Sequence, residues 1–101
     1  MRIFTRKTLA QFWADHPDAE QPLRAWIEKT KKADWQTLVD VQADYSHADL
    51  VGDCIVFNIG GNKYRLVVKI NYQKHRVFIR AVLTHKEYDR GKWKDDCNCK
   101  T

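Results

Sequence analysis

The chain has 101 residues and a formal net charge of +5, and its composition is 44% hydrophobic and 12% aromatic. This length predicts one domain with little room for a second, and this composition predicts a globular and not a disordered chain. No apolar run approaches the roughly 18 to 20 residues that span a bilayer. Because the N-terminal stretch "MRIFTRKTL" lacks the apolar segment of a signal peptide, we expect a cytoplasmic protein with no membrane partner.

The basic residues are concentrated in one part of the chain. Residues 1–62 contain seven Lys or Arg against nine Asp or Glu, whereas residues 63–94 contain ten against two. A basic surface of this kind favours a polyanionic partner, usually nucleic acid, or an acidic protein surface. The alternative is a solvated face that only aids solubility.

Two short helices are predicted after a first strand in "MRIFT". Apolar residues recur at helical spacing in each of them, at Leu9, Phe12 and Trp13 and then at Leu23, Trp26 and Ile27. Thr5 or Thr8 is expected to cap the first helix. Asp18 is expected to cap the second, with Gln21 completing a capping box.

Residues 34–53 are predicted to be mostly loop. Asp34 is a suitable N-cap for one or two helical turns, after which no periodic pattern continues to Gly52.

Three strands are predicted in the following part of the chain, in "CIVFNI", "KYRLVVKINY" and "RVFIRAVLTH". The "GGN" turn places Asn58 opposite Arg65, and the "QKH" turn places Leu66 opposite Ala81. One face of these strands is then apolar. The other face collects Asn58, Arg65, Val67, Lys69, Phe78, Arg80 and Val82. The predicted fold class is α+β in the order β-α-α-β-β-β, an antiparallel-dominated four-stranded sheet with a helix pair on one face.

Cations on the second face form the candidate site. Arg65, Lys69 and Arg80 are predicted to lie within about two strand spacings of one another, roughly 5–10 Å. Like charges at this spacing repel unless an anion lies among them. Alternatively, Arg65 pairs with an acid of the first half such as Asp44 or Asp53, and Lys69 keeps an exposed sheet face soluble.

The segment "THKEYD" follows the last strand directly. Thr84 and Glu87 form a capping box, which predicts a short C-terminal helix. His85 and Tyr88 are then expected beside the cationic face. Either of them could instead be structural, His85 as an ordinary first-turn residue and Tyr88 as a core aromatic.

The strand motifs and this segment resemble a known family. "VFNIGGNKYRLVVKINY", "VFIRAVLTHKEYD" and the element order are similar to HigB-type toxins of the RelE/ParE superfamily. The resemblance implies a RelE-like, microbial-ribonuclease-like fold. It also implies an mRNA endonuclease that acts on the translating ribosome. The implied partner is a cognate HigA-like antitoxin that is expected to contain a helix-turn-helix. Operator DNA would be contacted only through this antitoxin.

RNA cleavage by its own 2′-OH needs a proton acceptor, a proton donor and cations for the phosphorane, but no metal. The expected catalytic residues are Arg65, Arg80, His85 and Tyr88. The expected substrate-binding residues are Lys69, Lys86, Arg76 and Asn58. Which residue is the acid and which the base stays open. The alternatives are a ParE-like gyrase poison and a basic RNA- or protein-binding module without catalysis.

The three cysteines are not expected to bind metal, since a closed zinc site needs four ligands. Cys54 begins an apolar strand and is predicted to be a small buried hydrophobe. Cys97 and Cys99 lie in "DDCNCKT", where two reduced thiols in a frayed tail are the default expectation. A single domain of residues 1–94 is therefore predicted, followed by a polar tail of residues 95–101, with no cofactor.

Overall fold

A computed structural model describes residues 1–97, which form an α+β fold with one five-stranded sheet. The strands are β1 (Arg2–Phe4), β2 (Asp49–Val51), β3 (Cys54–Ile59), β4 (Tyr64–Asn71) and β5 (Arg76–Thr84). The helices are α1 (Arg6–Asp15), α2 (Glu20–Lys32), α3 (Leu38–Asp44) and α4 (His85–Arg90), with 3-10 helices at Pro17–Ala19 and Lys92–Cys97. No helix in this part of the chain is both long and apolar enough to cross a bilayer.

The sheet has the strand order β1-β5-β4-β3-β2. β1 lies parallel to β5, and the other neighbouring strands are antiparallel. The predicted α+β class is confirmed, but the predicted four-stranded sheet lacks one strand. The additional strand β2 lies in the segment predicted as loop, where Leu50 pairs with Ile55. A three-residue edge strand shows too little alternation to be recognised in the sequence.

The β3–β4 hairpin has the predicted register. Asn58 faces Arg65, and Ile59 faces Tyr64. The turn between them needs two successive left-handed residues, and Gly60 and Gly61 supply them at φ +62° and +70°. Glycine adopts this conformation without steric cost, so the turn sequence sets the pairing of the two strands.

A β-bulge in β5 changes the predicted β4–β5 register. The partner of Leu66 is Val82 and not Ala81, because the pairing passes from Ile79 to Ala81 and skips Arg80. Arg80 is therefore the additional residue of the bulge, where two residues of one strand oppose one of its neighbour. Beyond it the alternation is reversed, and Val82 is buried among the residues that face the helices. Its predicted place on the opposite face is wrong.

Helices α1, α2 and α3 cover one face of the sheet and enclose the main core. Leu9, Leu23 and Leu66 are fully buried there, as is Trp35 at 1% exposure. Trp26 packs edge-on against Phe57, with ring centroids 5.4 Å apart. The two predicted helical stripes are thus confirmed as core-facing, and α3 adds a third helix that the sequence only partly indicated.

Two predicted helix starts are wrong. Asp18 lies in the 3-10 helix that precedes α2, and its carboxylate accepts hydrogen bonds from Lys63 and, at 2.5 Å, from the Tyr64 hydroxyl. These contacts tie the helix layer to the β3–β4 turn, and hydrogen bonding by Lys63 and then by Tyr64 lowers the pKa of Asp18. Asp34 does not begin α3, because Thr37 is its N-cap, in a capping box with Asp40.

The opposite face, called the open face from here on, is partly covered by the chain beyond β5. Trp93 and Cys97 pack there on Cys54, Val56 and Val67 in a second apolar cluster. Sγ of Cys54 and Sγ of Cys97 form a disulfide.

The disulfide corrects the expectation that Cys54 and Cys97 are free thiols. A cysteine pair 43 residues apart gives no local signal in a sequence, so only the fold brings the two together. Residues 95–97 belong to the last 3-10 helix. The division into residues 1–94 and a tail stays a prediction, and Cys99 lies outside the described residues.

Candidate functional site

Arg65 and Tyr88 meet on the open face, where β4 begins beside α4. The Arg65 guanidinium carbon lies 5.3 Å from the centroid of the Tyr88 ring. Its Nη1 donates to the carbonyls of Asn62 at 3.1 Å and Tyr64 at 3.2 Å. These contacts hold the half-buried Arg65 in one position. A fixed guanidinium can bind a phosphate with less loss of side-chain entropy.

Tyr88 packs against the segment that follows α4. Its ring stacks on Trp93, with centroids 5.0 Å apart and planes inclined by 15°, and Trp93 Nε1 donates to the Tyr88 carbonyl at 2.9 Å. Tyr88 is therefore neither a main-core aromatic nor a free one. It joins the second apolar cluster to the Arg65 guanidinium.

His85 begins α4 and is exposed to solvent. The predicted capping box is present, with the Thr84 amide donating to Glu87 at 3.0 Å and the Glu87 amide donating to Thr84 at 3.2 Å. His85 Nδ1 lies 3.1 Å from Oδ2 of Asp89, one turn further along the helix. A carboxylate at one ring nitrogen fixes the tautomer and leaves Nε2 for proton exchange.

Arg80 is paired with an acid that the sequence analysis did not consider. Its Nε and Nη2 each donate at 2.6 Å to the carboxylate of Asp96, in a bidentate pair. Hydrogen bonding to Arg80 and the nearby charges of Arg80 and Lys69 hold the pKa of Asp96 below its usual range. The same contact raises the pKa of Arg80.

The cations are consequently arranged differently from the prediction. Arg80 is not free on the open face, because two of its guanidinium nitrogens donate to the Asp96 carboxylate. Arg65 and Lys69 lie four residues apart on β4, which is about 13 Å along a strand and exceeds the predicted 5–10 Å. A groove of about 450 Å³ lies beside the Arg80–Asp96 pair and includes Trp93 in its lining. Asp44, one of the acids considered for Arg65, instead accepts from Trp35 Nε1 at 2.8 Å.

The remaining predicted residues lie at separate places. Lys86 is exposed next to His85 on α4, and Asn58 lies on β3 opposite Arg65. Arg76 begins β5, at the end of that strand far from α4, and its guanidinium carbon lies 5.6 Å from the centroid of the Phe4 ring. Asn58 therefore lies near Arg65, and Lys86 lies beside His85. Arg76 lies instead beside Phe4, away from both.

Sequence reasoning missed Asp89 and Asp96 as members of the site. Asp89 follows His85 at i+4 on a correctly predicted helix, so helical spacing alone could have found it. Asp96 gave no such signal, because it lies 16 residues from Arg80 in the chain, in a segment that the Cys54–Cys97 disulfide and Trp93 join to the open face.

The side chains at this end of the sheet supply positive charge and groups that can exchange protons. Within residues 1–97, no three His, Cys, Asp or Glu side chains are grouped so as to hold a metal ion. A positioned guanidinium, a tyrosine ring and a histidine–aspartate pair lie on two adjoining elements, β4 and α4. They can bind a phosphodiester and exchange protons with it.

The protein is thus a small α+β domain whose partly covered sheet face carries the groups for phosphate binding and acid–base chemistry. Residues 19–91 match the family model of the HigB toxin, described as the RelE-like toxic component of a toxin–antitoxin system. The chain belongs to this family.

The names of similar proteins agree with the assignment of the chain to this family. The chain is 29% identical over 92 residues to the mRNA interferase toxin HigB of Escherichia coli (strain K12), with 88% of each chain covered. It has the same identity and coverage with the mRNA interferase HigB of Shigella flexneri. It is 23% identical over 93 residues to an mRNA interferase HigB of Escherichia coli O6:H1, covering 89% of this chain and 90% of the relative. The resemblance found in the strand motifs is confirmed.

Proposed function

We propose that the chain is an mRNA endoribonuclease that cuts messages on the translating ribosome and so inhibits translation. The observation that carries this proposal is the group formed by Arg65, Tyr88 and the His85–Asp89 pair at one end of the open face. The names of the relatives, each an mRNA interferase, point to the same activity. A toxin of this family has an antitoxin as its partner.

Cleavage would proceed by attack of the RNA 2′-OH on the adjacent phosphate. The nucleophile belongs to the substrate, so the protein has to move protons and stabilise the pentacovalent phosphate. His85, oriented by Asp89, is suited to one proton transfer, and Arg65 is placed to stabilise the developing charge. Tyr88 supports Arg65 and offers its hydroxyl or its ring to the substrate. The remaining acid or base would come from the ribosome or from Tyr88.

The other predicted residues would bind the RNA backbone on either side of this point. Lys86 adjoins His85, and Asn58 faces Arg65 across the β3–β4 pair. Lys69 and Arg80 would contact a second phosphate further along β4 and β5. For Arg80 this requires its guanidinium to exchange Asp96 for the phosphate, which is sterically simple because both side chains are about 40% exposed.

The proposed setting is the cytoplasm, with the ribosome and its mRNA as substrate. The antitoxin is proposed to be HigA-like with a helix-turn-helix, and contact with operator DNA would occur only through it. The description of the family as the toxic component of a toxin–antitoxin system supports an antitoxin partner.

The decisive experiment compares variants of two exposed histidines, His85 and His47. His85→Asn should lower cleavage by about 100-fold or more, the range of general acid–base catalysis. His47→Asn changes an exposed histidine preceding β2 and should leave cleavage unchanged. Cuts are mapped by primer extension on an mRNA after brief induction of each variant. Equal cutting by both variants would remove His85 from the mechanism.

The same induction tests the alternatives. DNA damage without mRNA cuts would indicate a ParE-like gyrase poison. For a binding module without catalysis, Arg65→Ala would weaken binding in a salt-dependent manner and nothing more. For the endoribonuclease, Arg65→Ala should abolish growth inhibition with only a modest loss of ribosome binding.

A further inference from the structure

The rings of Phe4 and Phe78 lie about 20 Å from His85 along β5 and have no part in the proposed function. Phe4 of β1 and Phe78 of β5 are Cα partners in the parallel pair. Their rings stack with centroids 5.2 Å apart and planes inclined by 20°. Their sequence neighbours Ile3 and Val77 are buried on the helix side. Because side chains alternate along a strand, the two phenylalanines project from the open face.

The two rings are not explained by core packing. Both are half-buried, and neither belongs to the main core or to the second apolar cluster of the described residues. The chain beyond β5 covers the Trp93 end of the open face and leaves this end uncovered. Two adjacent aromatic rings on an uncovered sheet face form a stacking surface of the kind found in single-strand-binding proteins.

Three cations surround the rings. The guanidinium carbon of Arg2 lies 5.2 Å from the centroid of the Phe4 ring, and that of Arg76 lies 5.6 Å from it. Arg2 and Arg76 are themselves Cα partners, and Lys69 is the partner of Phe78 on the other side. Across residues 1–97, none of the three cations forms an ion pair within 4.0 Å, and only the charge of Lys69 contributes to the lowered pKa of a described acid, Asp96. Placing two guanidinium groups side by side costs free energy that an anionic ligand would recover.

Aromatic rings flanked by cations suit a single-stranded nucleic acid better than other anionic partners. Bases stack on rings whatever their identity, and the cations follow the phosphates of the same strand. A duplex keeps its bases stacked inside and cannot use the rings. An acidic peptide would neutralise the cations without a requirement for two stacked phenylalanines.

We propose that Phe4 and Phe78 form a stacking platform for an unpaired base of single-stranded RNA, whose phosphates contact Arg2, Arg76 and Lys69. The assignment of RNA rests on the proposed function. The platform would hold the strand several nucleotides from the cleaved bond and so position the mRNA along β5. It gives Arg76 a role as a backbone contact far from the His85 end.

The platform can be tested with a short RNA that carries 2′-O-methyl groups throughout, so that it cannot be cleaved, and 2-aminopurine at one position. The fluorescence of 2-aminopurine falls when this base stacks on an aromatic ring. The wild-type chain should quench it, whereas Phe4→Leu/Phe78→Leu should not quench it and should bind about five- to a hundredfold more weakly. Phe12→Leu removes a half-buried ring that stacks on His16 in the helix layer and should change neither signal.

A second measurement needs no variant and guards against misfolding of the double mutant. An RNA with an abasic site in place of the 2-aminopurine should bind the wild-type chain about five- to a hundredfold more weakly than the intact RNA. Equal binding of both RNAs would overturn the platform, as would quenching retained by Phe4→Leu/Phe78→Leu or the absence of RNA binding at low salt. Loss of antitoxin binding in that variant, with RNA binding unchanged, would assign the surface to the antitoxin instead.

The outcome is separable from that of the proposed function. Ribosome-dependent cuts without stacking would remove the platform and leave the endoribonuclease. Stacking without cuts would keep the platform and remove the endoribonuclease.

Discussion

Reducing the Cys54–Cys97 disulfide should lower the free energy of unfolding by about 4 kcal/mol. The bond joins residues 43 positions apart, and opening this loop restores chain entropy to the unfolded state. The logarithmic dependence on loop length gives that value near room temperature. For a chain of this size, each kcal/mol corresponds to about 4–8 °C, so the melting temperature should fall by about 16 °C or more.

The assay is a urea titration of the oxidised and the reduced chain, followed by circular dichroism. Both are measured in a Cys99→Ala background, which prevents thiol exchange with the third cysteine. The free energy of unfolding of Cys54→Ala/Cys97→Ala in the same background should agree with that of the reduced chain within about 1 kcal/mol. The remaining difference would come from the sulfur contacts beneath Trp93 that the variant loses. Cys99→Ala alone should leave stability unchanged.

Equal denaturation midpoints for the oxidised and reduced chains would refute the reasoning. A large loss in the double variant without a corresponding loss on reduction would show that the sulfurs stabilise the fold by packing and not by closing the loop.

Three further predictions concern single positions. Thr5 has φ 71° at the start of α1, a strained conformation for a β-branched residue, so Thr5→Gly should stabilise the chain by about 1 kcal/mol, measured as a higher melting temperature. Asp96→Asn should free the Arg80 guanidinium and steepen the salt dependence of RNA binding by about 0.7 in the log–log slope; an unchanged slope would contradict this. Asp18→Asn should lower stability at about pH 7, because hydrogen bonds from Lys63 and Tyr64 hold the pKa of the Asp18 carboxylate below its usual range in the folded state, and this stabilisation is complete only above the pKa of the unfolded chain. The difference from wild type should shrink as pH falls through the lowered pKa, which urea titrations at several pH values would show.

Local patterns predicted the local parts of the fold and the site. The β3–β4 register follows from the Gly60–Gly61 turn and the strand alternation, both of which act within a few residues. The capping box of Thr84 and Glu87 likewise depends on residues three apart. The charge count located the excess of Lys and Arg in residues 63–94, and strand alternation assigned a face to those in β4.

Contacts between distant segments decided the rest. Phe4 meets Phe78 only because β1 pairs with β5 across 74 residues, and nothing in "MRIFT" specifies that neighbour. The bulge at Arg80 reverses the alternation within a continuous strand pattern. Asp96 reaches Arg80 because the Cys54–Cys97 disulfide holds its segment. The sequence by itself determined which residues share a helix face or a hairpin, because helical and strand periodicity act between residues close in the chain. The tertiary structure decided which of the cations are paired and which lie beside aromatic rings, because these contacts depend on packing between elements far apart in the chain.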